Sequence, residues 1–561
     1  MSARAPWHRQ ETLLPPLERE LLSHLAATPL LDRVELAALS GRSPSAVYEG
    51  AGALADVGLV ATVPHASELV PSARRLHLTS GGVEHLAGMD GMSVEALLRD
   101  QPASDEWLRA LMRRLDAVAV IYRLASALSE IAFPIRFRWY RSAPADAAAA
   151  LPDGGTLAIV RIGRSVERTA LGHRLRRLRE GAGYSAALLL APDEFRLRHA
   201  RRLATGMPFV CFSALERHAV AASVEAPIWR PPSGGAAVSL TTALKSVQRA
   251  GSWTREPTRQ RRTAPRPFNA RIGAQDWLLP SQLKPVQKRT LDLIADWPWL
   301  TPHHLEQMLG VGRRRVSQLS GQLQRSGLVA SVKIAGRGRL ALTDRALTMI
   351  ANRDRASPAL ARKRWSASPL DAESPSDWRD VSGTRTRQLL RHIDHTEAVH
   401  GFAAGLAAQT RLGDLTLAQI EPPQRASRYF RYRDRLHSVQ PDAYGLLLDR
   451  SDRLPFFLEW ERRAIRPRAM AARLAPYLRY FSGRRPLDDH GAMPRLLVVF
   501  EDDLLAGRFI RVAAEEMARA GTRVPLAVTD RGRVAERGPL SPIWFAADDW
   551  QRRSAFSPLE H

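Results

Sequence analysis

The chain repeats itself, and no other feature restricts its fold as tightly, because a duplication sets domain boundaries that local propensity leaves open. Val47, Leu54, Gly58, Leu59, Val60 and Ala61 recur as Val316, Leu323, Gly327, Leu328, Val329 and Ala330 at a constant offset of 269. Arg75-Leu76-His77-Leu78-Thr79 is answered by Arg339-Leu340-Ala341-Leu342-Thr343. Further on, LAIV at 157–160, HRLRRL at 173–178 and AALLLAPD at 186–193 are answered by FFLE at 456–459, ARLAPYL at 472–478 and LLVVFEDD at 496–503. Both halves finish on Pro-Ile-Trp, at 227–229 and 542–544. Any one match can arise by chance, but the set in one order cannot, so residues 15–230 and 283–548 read as two divergent copies. The stretch between them, 231–282, carries Arg255, Arg259, Arg261, Arg262, Arg266 and Arg271 among Pro, Thr and Ser, and reads as a flexible basic linker.

Each copy opens with three helical patterns and a hairpin. In the second, Val286, Leu291, Leu293 and Ile294 predict a first helix, and Thr301-Pro302 caps a second whose buried face carries Leu305, Met308 and Leu309. A third helix runs from Arg313 to Ser326 with Val316, Leu319 and Leu323 inward, closed by Gly327. Two strands joined at Gly336-Arg337-Gly338 complete a winged helix-turn-helix, expected over 283–355 and, in degenerate form, over 15–90. In such a fold the third helix meets base edges in the major groove and the wing meets phosphate. Arg313, Arg314, Arg315, Ser317, Gln318 and Gln322 fall at the groove-facing positions, and Lys333, Arg337 and Arg339 fall on the wing. Arginine pairs bidentately with guanine and glutamine with adenine. The first copy has Ser43-Pro44-Ser45-Ala46, Glu49 and two glycines there, so a structural or homodimerising role is expected of it.

The remainder of each copy predicts an α/β domain, over 105–230 and 385–548. In the second, 439–449 and 454–462 read as strands, 466–482 as a helix and 494–503 as a third strand. Asp442, Glu459 and Glu461 then gather at one sheet edge, the two glutamates sharing a face because they are two residues apart. Three converging carboxylates suit Mg²⁺, which activates water for phosphodiester attack. His392, His395 and His400 on the preceding helix read as structural, with no metal role.

At these residues the chain resembles the replication-relaxation family of plasmid and integrative-element proteins, which join a winged helix to a PD-(D/E)xK nuclease-like domain. The resemblance runs through the second winged helix, the helix with His395, Pro441-Asp442, the Phe-Leu-Glu-x-Glu-Arg stretch at 457–462 and the helix with Tyr477. It implies a catalytic set of Asp442, Glu459 and Glu461 with a basic residue on the next helix, at Arg473. Such nucleases use lysine there, and residues 364–561 contain none. Arginine supplies charge but is effectively never deprotonated. In the first copy Arg161 and Gly163 align with Glu459 and Glu461, and Arg164, Arg168, Arg174, Arg176, Arg177 and Arg179 follow, an arrangement that suits a DNA cradle.

Composition agrees with a polyanion partner: 82 Lys and Arg against 57 Asp and Glu leave a net charge of +25. Only five of the basic residues are lysine, a bias that fits a GC-rich bacterial genome. With Cys211 as sole cysteine, no disulfide forms within the chain and no cysteine zinc site is expected. Neither a signal peptide nor a membrane-length apolar run is present, so a cytoplasmic protein is expected. No Gly-x-x-x-x-Gly-Lys-Ser/Thr motif exists for ATP. Three readings follow. The leading one is a double-stranded DNA-binding protein of a mobile genetic element with a catalytically degenerate nuclease fold. The second is a Mg²⁺-dependent endonuclease that nicks or cuts DNA. The third is a non-catalytic adaptor bringing a helicase, transposase or recombinase to DNA.

Overall fold

A computed structural model describes residues 14–181, 183–247, 265–268, 276–369, 377–450, 452–461, 466–546 and 549–556. The fold is mixed α/β and divides into two compact units, Met1–Pro285 with Met349–Ser357, and Val286–Thr348 with Pro358–His561. Among the described residues no helix is long and apolar enough to cross a membrane.

Unit 1 begins with helices Pro16–Ala27, Arg33–Ser40 and Pro44–Asp56, then an antiparallel hairpin of β1 (Val60–His65) and β2 (Ala73–Leu78). Asp32 caps the second helix in a reciprocal box with Glu35. Gly58, at φ +73°, turns the third helix into β1, a conformation a side chain resists. Leu21, Leu25, Val47, Leu54 and Leu76 close the core. After helix Leu115–Ile131 comes a sheet of β3 (Arg136–Trp139), β4 (Ala147–Ala150), β5 (Thr156–Arg161), β6 (Ala186–Ala191) and β7 (Val210–Leu215), paired in that order. The first three run antiparallel and the last three parallel, with helices Arg168–Gly181 and Glu194–Ala204 as crossovers. β6 is buried at every position, as a central parallel strand covered on both faces must be.

Unit 2 follows the same order. Helices Pro285–Asp296, Pro302–Leu309 and Arg313–Arg325 lead into β8 (Val329–Ile334) and β9 (Arg337–Leu342), with Gly327 at φ +64° in the turn. Helix Ile393–Gln409 precedes β10 (Thr416–Glu421), the separate hairpin of β11 (Arg428–Tyr432) and β12 (Arg435–Val439), and then β13 (Ala443–Asp449) and β14 (Asp452–Trp460). β15 (Arg495–Phe500), β16 (Leu526–Asp530), β17 (Trp544–Ala546) and β18 (Asp549–Arg553) complete a sheet in the order β10-β13-β14-β15-β16-β17-β18. β14, β15 and β16 are parallel, joined through helices Pro467–Phe481 and Asp503–Ala520. Both units thus carry a β-hairpin feeding a parallel trio, which brings the ends of β4 and β5, and of β13 and β14, to comparable sheet edges.

Two expectations are corrected. The linker 231–282 is folded at both of its ends, since Leu240, Ala243, Phe268 and Trp277 are apolar enough to enter the unit 1 core, and Phe268 packs edge-on against His77 and Trp277. Arg266 is within that folded part, its carbonyl accepting the Asp105 N–H, whereas Arg255, Arg259, Arg261, Arg262 and Arg271 lie outside the described residues. The expected winged-helix boundary at 355 is also crossed, because residues 349–357 belong to unit 1.

Candidate functional site

Pairing of Ala443 with Leu458 sets Asp442 beside the end of β14. Its backbone N–H donates to the Leu458 carbonyl and its Oδ2 accepts the Trp460 N–H, each at 2.8 Å. Oδ1 lies 2.9 Å from His395 Nε2 on helix Ile393–Gln409. His395 therefore stands at the carboxylate edge. No spacing signal could have placed it there, because Asp442 is 47 residues away. His400 is buried, edge-on to Trp297 and His304, and His392 is exposed at the helix start.

Glu459 is buried, and helix Pro467–Phe481 covers it with two residues one turn apart. Tyr477 donates its hydroxyl to Glu459 Oε1 at 2.5 Å, and Arg473 Nη2 lies 2.5 Å from Oε2. The same guanidinium reaches Glu461 Oε2 through Nε at 3.2 Å. Burial pushes the Glu459 carboxyl well above the usual carboxylate range; Arg473 opposes this, and Asp442 and Glu461 add to it.

Asp442, Glu459, Glu461 and Arg473 are thus brought together, but not as a cage for Mg²⁺. A hard cation takes carboxylate oxygens as ligands. Here the guanidinium lies across both glutamates, and Asp442 is turned to a histidine and a backbone amide. Among the described residues no three His, Cys, Asp or Glu side chains are arranged to hold a metal ion. The donor set as it stands does not fit the ion, because Arg473 already supplies a positive charge at its centre.

The corresponding edge of unit 1 corrects the alignment. Asp146 Oδ2 accepts the Arg161 N–H at 2.6 Å, the bond that Asp442 takes from Trp460. Arg161 therefore answers Trp460, Val160 answers Glu459 and Ile162 answers Glu461, each one residue away from where apolar matching had put it. Arg174 takes the place of Arg473, between the buried Leu171 and Leu175 of its helix, and Leu178 takes the place of Tyr477. Burying Val160 against a helix that carries leucine removes the acid and its hydroxyl donor together. Arg174 itself binds Asp146 Oδ2 at 2.6 Å, so it is not part of a cradle, while Arg164, Arg176, Arg177 and Arg179 are exposed.

On helix Arg313–Arg325, Val316, Leu319 and Leu323 are buried, and Arg313, Arg314, Arg315, Ser317, Gln318 and Gln322 are exposed. Among the described residues no carboxylate pairs with Arg313, Arg314 or Arg315; Arg315 reaches only Gln318, at 3.5 Å. Lys333 and Arg337 are exposed on the hairpin. Arg339 is not: it is 1% exposed, donates to the Trp299 carbonyl at 3.3 Å and pairs with Glu397, which also holds Arg337. The expectation that Arg339 meets phosphate fails because β9 carries it inward toward helix Ile393–Gln409. Arg75 repeats the arrangement, buried against Glu35 and the Leu30 carbonyl.

No family model, curated protein or solved structure matches the chain.

Proposed function

We propose that this protein binds double-stranded DNA through a winged helix at 286–342, within a chain that arose by duplication of a winged helix and a nuclease-like α/β domain. The observation that carries the reading is the face of helix Arg313–Arg325: three consecutive arginines in its first turn, with Ser317, Gln318 and Gln322 beside them, all exposed and without a pairing carboxylate among the described residues. That is the composition of a helix that reads base edges, and Lys333 and Arg337 on the hairpin add phosphate contacts. A net charge of +25 supports the same partner.

The sheet edge at Asp442 and Glu459 favours binding without cleavage. Arg473 spans the glutamates and no lysine follows Lys363. Shared positions in the two halves support the duplication, among them Arg75 with Arg339, Arg161 with Trp460 and Arg174 with Arg473. The biological setting proposed is a bacterial mobile element, in replication or transfer, from the resemblance to replication-relaxation proteins.

Fluorescence anisotropy with labelled duplexes tests the reading. Affinity should fall steeply between about 50 and 200 mM salt, and Arg314→Ala or Arg315→Ala should reduce discrimination between duplex sequences. Equal binding by wild type and an Arg313→Ala/Arg314→Ala/Arg315→Ala variant would refute it. Supercoiled plasmid incubated with Mg²⁺ or Mn²⁺ should stay intact.

A further inference from the structure

The edge of unit 1 that has Val160 in place of a carboxylate is filled by another part of the chain. Residues 349–357 follow the second hairpin by sequence yet belong to unit 1, and they enter it with Asp354 and Arg355. Arg355 adopts φ +55°, a left-handed conformation that a side chain resists and that surrounding contacts must hold. Those contacts are numerous. Nη1 donates to the Ala145 carbonyl at 2.9 Å and to Asp146 Oδ1 at 3.0 Å, and Nη2 donates to the carbonyls of Ala143 at 2.8 Å and Arg141 at 3.1 Å. Four acceptors along one stretch, 141–146, match the planar fork of a guanidinium, which presents five N–H donors in fixed directions.

The neighbouring carboxylate is received as completely. Asp354 is buried, accepts the Ser165 N–H at 2.8 Å and pairs with Arg161 at 3.3 Å. Gly163 makes the approach possible: a Cβ there would stand 2.3 Å from Asp354 Cβ, where no side chain fits. A pocket with four acceptors for a guanidinium fork on one wall, an amide and a guanidinium on the other and a glycine cut for clearance is complementary to one dipeptide.

We propose that this cleft is a receptor for an Asp-Arg segment, that residues 353–355 are its resident internal ligand, and that the emptied cleft takes the same segment in trans. The sheet edge that in unit 2 gathers carboxylates is, in unit 1, a peptide-binding site selective for arginine. The inference stands whether or not the protein binds DNA, since nothing in it involves the helix Arg313–Arg325.

The full-length Asp354→Ala/Arg355→Ala variant tests it, titrated into a fluorescein-labelled peptide covering residues 348–358 and followed by anisotropy. The variant should bind the peptide and wild type should not, because its cleft is filled. A peptide carrying Arg355→Lys should bind about tenfold or more weakly, since an ammonium cannot span four acceptors. A variant with wild-type circular dichroism that ignores the peptide overturns the proposal, as does equal binding of the Arg and Lys peptides or equal binding by wild type. Hydrogen exchange on wild type decides the matter even if the variant does not fold: the amides of Ser165 and of 354–356 should be protected as strongly as those of β5, and exchange at the rate of open chain overturns the proposal.

Discussion

Replacing Asp146 with asparagine isolates a buried charge network in unit 1. The carboxylate meets Arg174 at 2.6 Å, Arg355 at 3.0 Å and Arg114 at 3.6 Å, and accepts the Arg161 N–H at 2.6 Å. Asparagine keeps the volume and one acceptor oxygen, but it leaves three guanidinium groups in a buried place without their anion. Breaking a buried ion pair from one side costs about 3–5 kcal/mol, and three partners put Asp146→Asn toward the upper end. For a unit of this size the loss lowers the midpoint of thermal unfolding by about 6–15 °C. The pH dependence has a definite sign. Burial pushes the Asp146 carboxyl up, but Arg174, Arg355, Arg114 and the Arg161 amide outweigh it and hold it well below the usual range; for Asp354, burial is outweighed by Arg353, Arg161 and the Ser165 amide. A carboxyl depressed in the folded state stabilises fully above its unfolded pKa of about 3.9 and loses that contribution as pH falls. The gap between wild type and Asp146→Asn should therefore be widest near neutrality and shrink on acidification below about pH 4. Hydrogen exchange of the β4 to β6 peptides in a urea series reads unit 1 by itself. A gap under about 0.5 kcal/mol near neutrality, the scatter of an ordinary surface substitution, would refute the network argument, and so would a gap that does not change with acid.

Four further outcomes follow from other contacts in the two units. Arg339→Met should cost about 3 kcal/mol, by stranding Glu397 with Arg337 alone, whereas Arg314→Ala should leave chemical denaturation within about 0.5 kcal/mol of wild type. On DNA, Lys333→Ala should lower the slope of log affinity against log salt by about one, and an unchanged slope would remove Lys333 from the phosphate-facing set. Mn²⁺ titrated into wild type and followed by electron paramagnetic resonance should show no site dependent on Glu459, while Arg473→Ala, which withdraws the lodged cation, should gain one that Glu459→Gln abolishes. Gly163→Ala should destabilise unit 1 by about 1–3 kcal/mol through overpacking against Asp354, and a neutral result by urea unfolding would count against so close an approach.

Much of the fold was legible because it is written in short-range pattern. Apolar residues at helical spacing marked the buried face of Arg313–Arg325, Gly58 and Gly327 marked the turns into each hairpin, and the apolar runs at 443–449 and 495–500 marked buried strands. The exposed face of a helix follows from its buried one, so the positions of Arg313, Arg314, Arg315 and Gln318 were legible too. What the pattern does not contain is the identity of a distant partner. Arg337 and Arg339 look equivalent on a strand, two residues apart on one face, yet only the course of β9 toward helix Ile393–Gln409 sends one inward while the other stays 67% exposed. His395 and Asp442, Arg473 and Glu459, and Arg355 and Asp146 are each brought together by chain segments that sequence spacing does not relate. The one-residue error at Arg161 has the same origin: apolar similarity aligns strands by composition, whereas the ladder of hydrogen bonds aligns them by register, and a shift of one exchanges the faces of every side chain. Local periodicity therefore decided which elements form and which way most of them face, and packing in three dimensions decided which charges meet.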